Sequence, residues 1–255
     1  MRKNKIKQMW RDKKCVTMGW LSVSHGFTAE VMARQGFDVL CVDMQHGTTD
    51  MNGVWPMLQA ISQTDTVPVV RVPWNDPPTI MKALDLGAYA IIVPLINTAE
   101  DAAKAVAACR YPPVGMRSSG PVRAVHYGGA DYLAKANDEI VVMAMIETKE
   151  GLANLEKICA TPGLDAVYIG PSDLSFALGL APRGDNPDPV HIATCDKIRD
   201  AAHKAGIKAV MHCASAAFAA GAVKRGFDMI MLTSDLASMI AGARKQLDDL
   251  KAATA

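Results

Sequence analysis

Eight short, almost unbroken apolar runs punctuate the chain. They are VTMGWLSV from residue 16, VLCVDMQ from 39, VPVVRVP from 67, AIIVPLI from 90, IVVMAMIE from 140, AVYIG from 166, KAVMHC from 208 and MIMLTS from 229. Short β-branched runs of this kind read as strands buried on both faces. Longer stretches lie between them, such as FTAEVMARQGF, MNGVWPMLQAISQ, PTIMKALDLGA, AEDAAKAVAACR, KEGLANLEKICA and VHIATCDKIRDAAHKAG, and these read as helices. Several close on a glycine (Gly36, Gly87, Gly206, Gly226), which suits the left-handed position after a helix. Helices between consecutive strands require a parallel sheet. Eight such units in 255 residues predict an α/β fold, a single (β/α)8 TIM barrel over 1–255. The alternative, an open doubly wound sheet, would more naturally carry a glycine-rich turn after the first strand, and LSVSHGFTAE has none. Two segments break the rhythm, YPPVGMRSSGPVRAVHYGGADY (111–132) and GLAPRGDNPDP (179–189). Loops this long in a compact domain are commonly functional.

Composition narrows the function classes. Lys and Arg number 27 against 26 Asp and Glu, a net charge of +1, which leaves no electrostatic footprint for nucleic acid. The basic start, MRKNKIKQMWRDKK, reads as a solvated helix, and no apolar segment follows it as a signal peptide would require. No apolar run approaches the ~18 residues of a membrane span. The six cysteines are irregularly spaced with no C-x-x-C pair, so free thiols in a reducing cytoplasm are expected.

Active sites of such barrels lie at the C-terminal ends of the strands. The strand ends here offer Asp43, Gln45 and His46, then Arg71, Glu147, Asp173, the pair His212 and Cys213, and Ser234 with Asp235. Alternation puts Val67, Val69 and Arg71 on one face, and an arginine cannot comfortably face the apolar helix layer. Arg71 should therefore point into the mouth and meet an anion. Glu147 and Asp173 end neighbouring strands, and a divalent cation such as Mg²⁺ or Mn²⁺ would relieve their repulsion. The plain alternative is a carboxylate that accepts backbone N–H groups or pairs with Arg71. His46 suits a general base, since imidazole titrates near neutrality, although a capping role would also explain it. No strand carries an inward lysine at its C-terminal end, which argues against an imine mechanism.

Taken together, VDMQHG, VRVPWNDPPTIMKALDLGAYAIIVPLI, YPPVGMRSSGP, MIETKEGLANLEKI and DAVYIGPSDLSFALG resemble the HpcH/HpaI family of class II pyruvate aldolases. The resemblance runs in order along nearly the whole chain. It implies a barrel of the phosphoenolpyruvate/pyruvate superfamily that cleaves a 4-hydroxy-2-oxo acid into pyruvate and an aldehyde, with Mg²⁺, Mn²⁺ or Co²⁺ as cofactor. Carried over by residue, it implies Glu147 and Asp173 as metal carboxylates and Arg71 at the keto oxygen. His46 becomes the base, Asp85 its acidic partner, and the backbone at Pro171 and Ser172 the carboxylate cradle. Asp43 and Gln45 are expected to support these groups from behind. The family also implies a homohexamer with exchanged C-terminal helices. Gln45 stands where many members have glutamate, and Met145 where many have glutamine; these departures bear on the substrate, not on the metal ligands. A CoA-ester lyase, a phosphonopyruvate mutase and a non-catalytic 2-oxo-acid-binding barrel are the other readings. The aldehyde pocket is expected from the 111–132 segment, alone or with a neighbouring subunit, with Arg117 and Arg123 as candidates for a distal carboxylate.

Overall fold

A computed structural model of the chain describes residues 1–254. All eight predicted strands form: β1 (Val16–Leu21), β2 (Val39–Asp43), β3 (Val67–Arg71), β4 (Ala90–Val93), β5 (Val141–Ile146), β6 (Ala166–Ile169), β7 (Lys208–His212) and β8 (Met229–Ser234). Each pairs in parallel with the next, and β8 returns to β1 to close the barrel. Every residue of β2 through β6 is buried, which is why these strands carry no polar alternation.

The apolar runs extend past most of the strands at their C-terminal ends. Met44 and Gln45 leave the ladder after Asp43, and Glu147 leaves it after Ile146. The polar residues that end each run thus form the mouth.

Three readings need correction. KEGLANLEKICA is not one helix; it breaks at Asn154 into Lys149–Ala153 and Leu155–Cys159. The 111–132 segment is not all loop, since Val122–Gly128 is helical. The basic N-terminal helix, Lys5–Arg11, is only half solvated, because Ile6 and Trp10 are buried. Trp10 Nε1 donates to the Asp228 carbonyl, and the Asn4 amide donates to the Tyr89 and Glu139 carbonyls. All three acceptors precede strands, so this helix covers the barrel end opposite the mouth. None of the described helices is long and apolar enough to cross a membrane.

Candidate active site

β2 and β3 end side by side, with Asp43 in register with Arg71. Arg71 Nε and Nη2 donate to the two Asp43 oxygens at 2.8 and 2.6 Å, a bidentate ion pair. Trp20 Nε1 donates to the same carboxylate at 3.2 Å, and the backbone N–H groups of Gln45 and His46 reach it at 3.0 and 3.3 Å. Asp43 therefore accepts from five donors. Burial alone would raise its pKa, but the bonds and charge of Arg71 outweigh burial and hold it below the usual carboxylate range. The Arg71 guanidinium also lies over the Trp20 ring, 4.8 Å from its centroid. These contacts fix the arginine, and no described protein group binds its Nη1. Gly47 completes the turn, since a Cβ there would sit 2.2 Å from the Asp43 carbonyl oxygen. The polar end of β2 is thus built around Asp43, and it delivers His46 to the exposed rim.

Glu147, just past β5, is a buried carboxylate of the opposite kind, 3% exposed. Its Oε1 accepts from the Leu95 N–H at 2.9 Å. Leu95 has φ 53°, a left-handed conformation that a branched residue adopts at a cost, and it bears the N–H that Glu147 receives. A Cβ on Gly170 would lie 2.2 Å from Glu147 Oε2, so the β6 end must be glycine for the carboxylate to fit. Burial pushes the Glu147 pKa up to about 7, and the nearby Asp173 charge adds to the rise. Asp173 sits in the first turn of helix Pro171–Ala177, exposed to the mouth. The Pro171 carbonyl behind it accepts from Ser175 Oγ at 2.7 Å and lies 3.2 Å from His191 Nε2, which clamps this turn from below.

A cavity of about 320 Å³ opens between these groups. His46, Arg71, Glu147, Pro171, Ser172 and Asp173 line one side, and His212, Cys213, Thr233 and Ser234 line the other. Met145, on the inward face of β5, and Met231 of β8 also line it. Asp43 lies behind this wall, bound to Arg71. Gln45 contributes its backbone N–H, while its side-chain carbonyl is buried without a partner.

Asp85 is not brought to His46 within the chain. It pairs with Arg117 Nη2 at 2.8 Å and lines a separate hollow with Trp55, Lys82 and Arg123. Within one chain the 111–132 arginines are also placed away from the cavity. Arg117 is buried against Asp85 and Tyr132, and Arg123 donates to the Leu58 carbonyl and to Ser62 Oγ. Neither lines the cavity. The 179–189 segment lines it instead, through Gly184. Sequence reasoning gave His212 no role and missed its partner Tyr168, whose hydroxyl lies 2.7 Å from His212 Nδ1. Their inward positions on adjacent strands were the available signal.

The donor set decides which cofactor fits. Among the described residues, no group of three or more His, Cys, Asp or Glu side chains is arranged to hold a metal, which disfavours an all-protein zinc cage. Glu147 and Asp173 are two hard oxygen donors whose negative charge Arg71, ion-paired to Asp43, offsets only in part. A divalent cation that keeps open positions for water and a chelating substrate matches that deficit. Cys213 is no competing nucleophile, because burial pushes its thiol up to about 12. Among the described residues no lysine lines the cavity, which leaves no imine-forming amine there.

Comparison with known proteins agrees with this chemistry. The family model described as HpcH/HpaI aldolase/citrate lyase matches residues 16–242. A hydroxypyruvate/pyruvate aldolase of Rhizorhabdus wittichii is 40% identical over 98% of this chain and 99% of its own length. A 4-hydroxy-2-oxo-heptane-1,7-dioate aldolase of Shigella flexneri is 42% identical over 66% of this chain and 64% of its own. The crystal structure of an HpcH/HpaI aldolase/citrate lyase family protein from Burkholderia cenocepacia superposes with a TM-score of 0.90 at 33% identity, over 97% of this chain and 99% of that one. A closed parallel barrel, a carboxylate pair at the ends of β5 and β6 and a family match across nearly all of the barrel lead to one conclusion: the chain belongs to the HpcH/HpaI aldolase/citrate lyase family.

Proposed function

We propose that this chain is a carbon–carbon lyase, a class II aldolase that cleaves a 4-hydroxy-2-oxo acid to pyruvate and an aldehyde and runs the reverse addition. The observation that carries the reading is the un-neutralised pair of Glu147 and Asp173 beside an arginine already fixed by Asp43. Held by these two carboxylates, Mg²⁺, Mn²⁺ or Co²⁺ would supply Lewis-acid polarisation of the 2-oxo group.

The chain's own residues do the rest. Pro171 has no N–H to offer, so the cradle expected at Pro171 and Ser172 shifts by one residue: the first-turn N–H groups of Ser172 and Asp173 have no helical acceptor and suit the substrate carboxylate. Arg71 offers Nη1 to the keto oxygen, where negative charge grows as the C3–C4 bond breaks. Its Asp43 and Trp20 contacts hold it in place before substrate arrives, so little reorganisation is needed. His46 takes the proton of the 4-hydroxyl as the aldehyde leaves. Return of a proton to C3 of the enolate then gives pyruvate. Asp85, bound to Arg117, does not orient His46 within one chain.

The oligomer belongs to the same proposal. Residues 236–254 of the C-terminal helix are exposed, and Leu236, Met239, Ile240, Leu247 and Leu250 leave apolar surface uncovered. This supports a homo-oligomer, a hexamer by family resemblance, in which the helix packs on a neighbour. A cytoplasmic site of action accords with six free cysteines. Pyruvate release from 4-hydroxy-2-oxo acids of varied length, coupled to lactate dehydrogenase, tests the reaction. Calorimetry with pyruvate and metal separates turnover from mere binding, and no release from any such acid would contradict the reading.

A further inference from the structure

The cavity has two unlike walls, and the activity described above uses only one. The unused wall is formed by β7 and β8, with His212, Thr233 and Ser234 facing the space. Tyr168 lies fully buried beneath it, and His212 is its one hydrogen-bond partner among the described residues. A buried phenol with one partner must donate to it, or leave its proton unsatisfied, which buried polar groups rarely do. His212 Nδ1 is therefore the acceptor, and the proton of the neutral ring sits on Nε2. Burial and the nearby positive charge of Arg71 hold the imidazole pKa down to about 3, so the ring is neutral at every working pH. Trp20 packs edge-on against the ring at 5.0 Å and fixes its plane. Nε2 has no protein partner and is not among the occluded polar atoms, so it reaches the cavity.

The neighbouring groups have the same character. Ser234 Oγ accepts from the Ala237 N–H, which leaves its own proton to donate. Thr233 adds a second hydroxyl, which already bonds to the Ser234 carbonyl at 3.4 Å and lies 3.3 Å from Ser238 Oγ, so His212 and Ser234 carry the free donors. Arg71 is the one lysine or arginine that lines this cavity among the described residues, and it is committed to Asp43. The wall thus offers uncharged donors and no spare cation.

We propose that His212 is a specificity-determining residue, whose Nε2–H donates to an oxygen on the aldehyde half of the substrate and so selects uncharged, hydroxyl-bearing aldehydes over apolar ones of equal size. The proposal rests on the aldolase reading. An apolar aldehyde would bury the Nε2–H unpaired, the situation in which polar pockets discriminate best.

Glycolaldehyde and propanal differ by one hydroxyl in place of one methyl, and both can accept pyruvate in the addition direction. The metal-loaded full-length protein should favour glycolaldehyde in kcat/KM by roughly tenfold to a hundredfold. His212→Leu should collapse that ratio toward unity, mainly through a higher KM for glycolaldehyde. His212→Gln, which restores a donor, should recover most of the preference. Tyr168→Phe frees the imidazole to move its proton and should fall between the two. The glutamine and phenylalanine variants also keep the test open should the leucine variant fold poorly. A ratio unmoved by His212→Leu, or an equal loss toward both aldehydes, would overturn the proposal. Exchange of pyruvate methyl protons with D₂O by the wild-type enzyme separates the two readings. Exchange with an unmoved ratio rejects the role of His212 alone, whereas absence of exchange rejects the aldolase reading with it.

Discussion

Asp43 and Glu147 are both buried carboxylates at the strand ends of one barrel mouth, yet the protein treats them in opposite ways. Asp43 receives five donors, among them Nε and Nη2 of Arg71, and its pKa is lowered. Glu147 is pushed up to about 7 by burial and by the charge of Asp173, which one backbone N–H and the charge of Arg71 do not offset. Desolvation acts on both, so the difference comes from partners. At Asp43 the fold completes its own electrostatics and produces a rigid arginine. At Glu147 it leaves the charge uncompensated in a place that substrate can reach. A buried carboxylate held without a protein cation costs stability, and such strain concentrates where a ligand completes the site.

That contrast can be broken from either end. The largest effect is expected at the uncompensated end. Chelation by EDTA, or Glu147→Ala, should remove measurable pyruvate release, and added Mg²⁺, Mn²⁺ or Co²⁺ should restore it to the chelated wild type alone. Full turnover after chelation would contradict the reading. His46→Ala should slow cleavage by roughly 10²–10⁴, the range for a positioned acid–base group, and a near-wild-type rate would remove His46 from that role. At the compensated end, Asp43→Ala strands a buried guanidinium and should destabilise the fold by ~3–5 kcal/mol in chemical denaturation, with or without metal. A neutral effect there would mean that Arg71 finds another anion.

The smallest effect sharpens the comparison through pH. A carboxyl with a raised pKa keeps its proton in the folded state where the unfolded chain has lost it. Metal-free protein should therefore lose stability as pH rises from about 4.5 through about 7, by on the order of 3 kcal/mol at most. Glu147→Gln should flatten that loss and melt above metal-free wild type at pH 8, although it is inactive. Asp43 has a lowered pKa and acts oppositely, because its stabilisation is lost as pH falls into the acid range. A Glu147→Gln variant that melts below wild type at pH 8 would show Glu147 already satisfied.

The strands were legible because a parallel barrel buries both faces, and VLCVD or VVMAMI can be little else. Arg71 was legible from alternation, which put a charge on an inward face and demanded an anion. The identity of that anion was not legible, since Asp43 meets Arg71 only through the β2–β3 register, and register is a property of the closed barrel. Asp85 shows the same limit. Its place in ALDLGA says nothing of Arg117, 32 residues on, which claims it. His212 stood at a strand end in plain view. Its meaning depended on Tyr168 beneath it, one strand away, and on which ring nitrogen faced inward.

We propose that Glu147 and Asp173 are left undercompensated in order to hold a divalent cation. Calorimetric titration of Mn²⁺ into the full-length, chelator-treated protein tests it without any appeal to turnover. Wild type should bind one Mn²⁺ per chain, more tightly at pH 8 than at pH 6 as Glu147 sheds its proton, and more tightly again with pyruvate present. Glu147→Gln and Asp173→Asn should each weaken binding by roughly a hundredfold or more. Equal Mn²⁺ affinity in wild type and both variants would contradict the account.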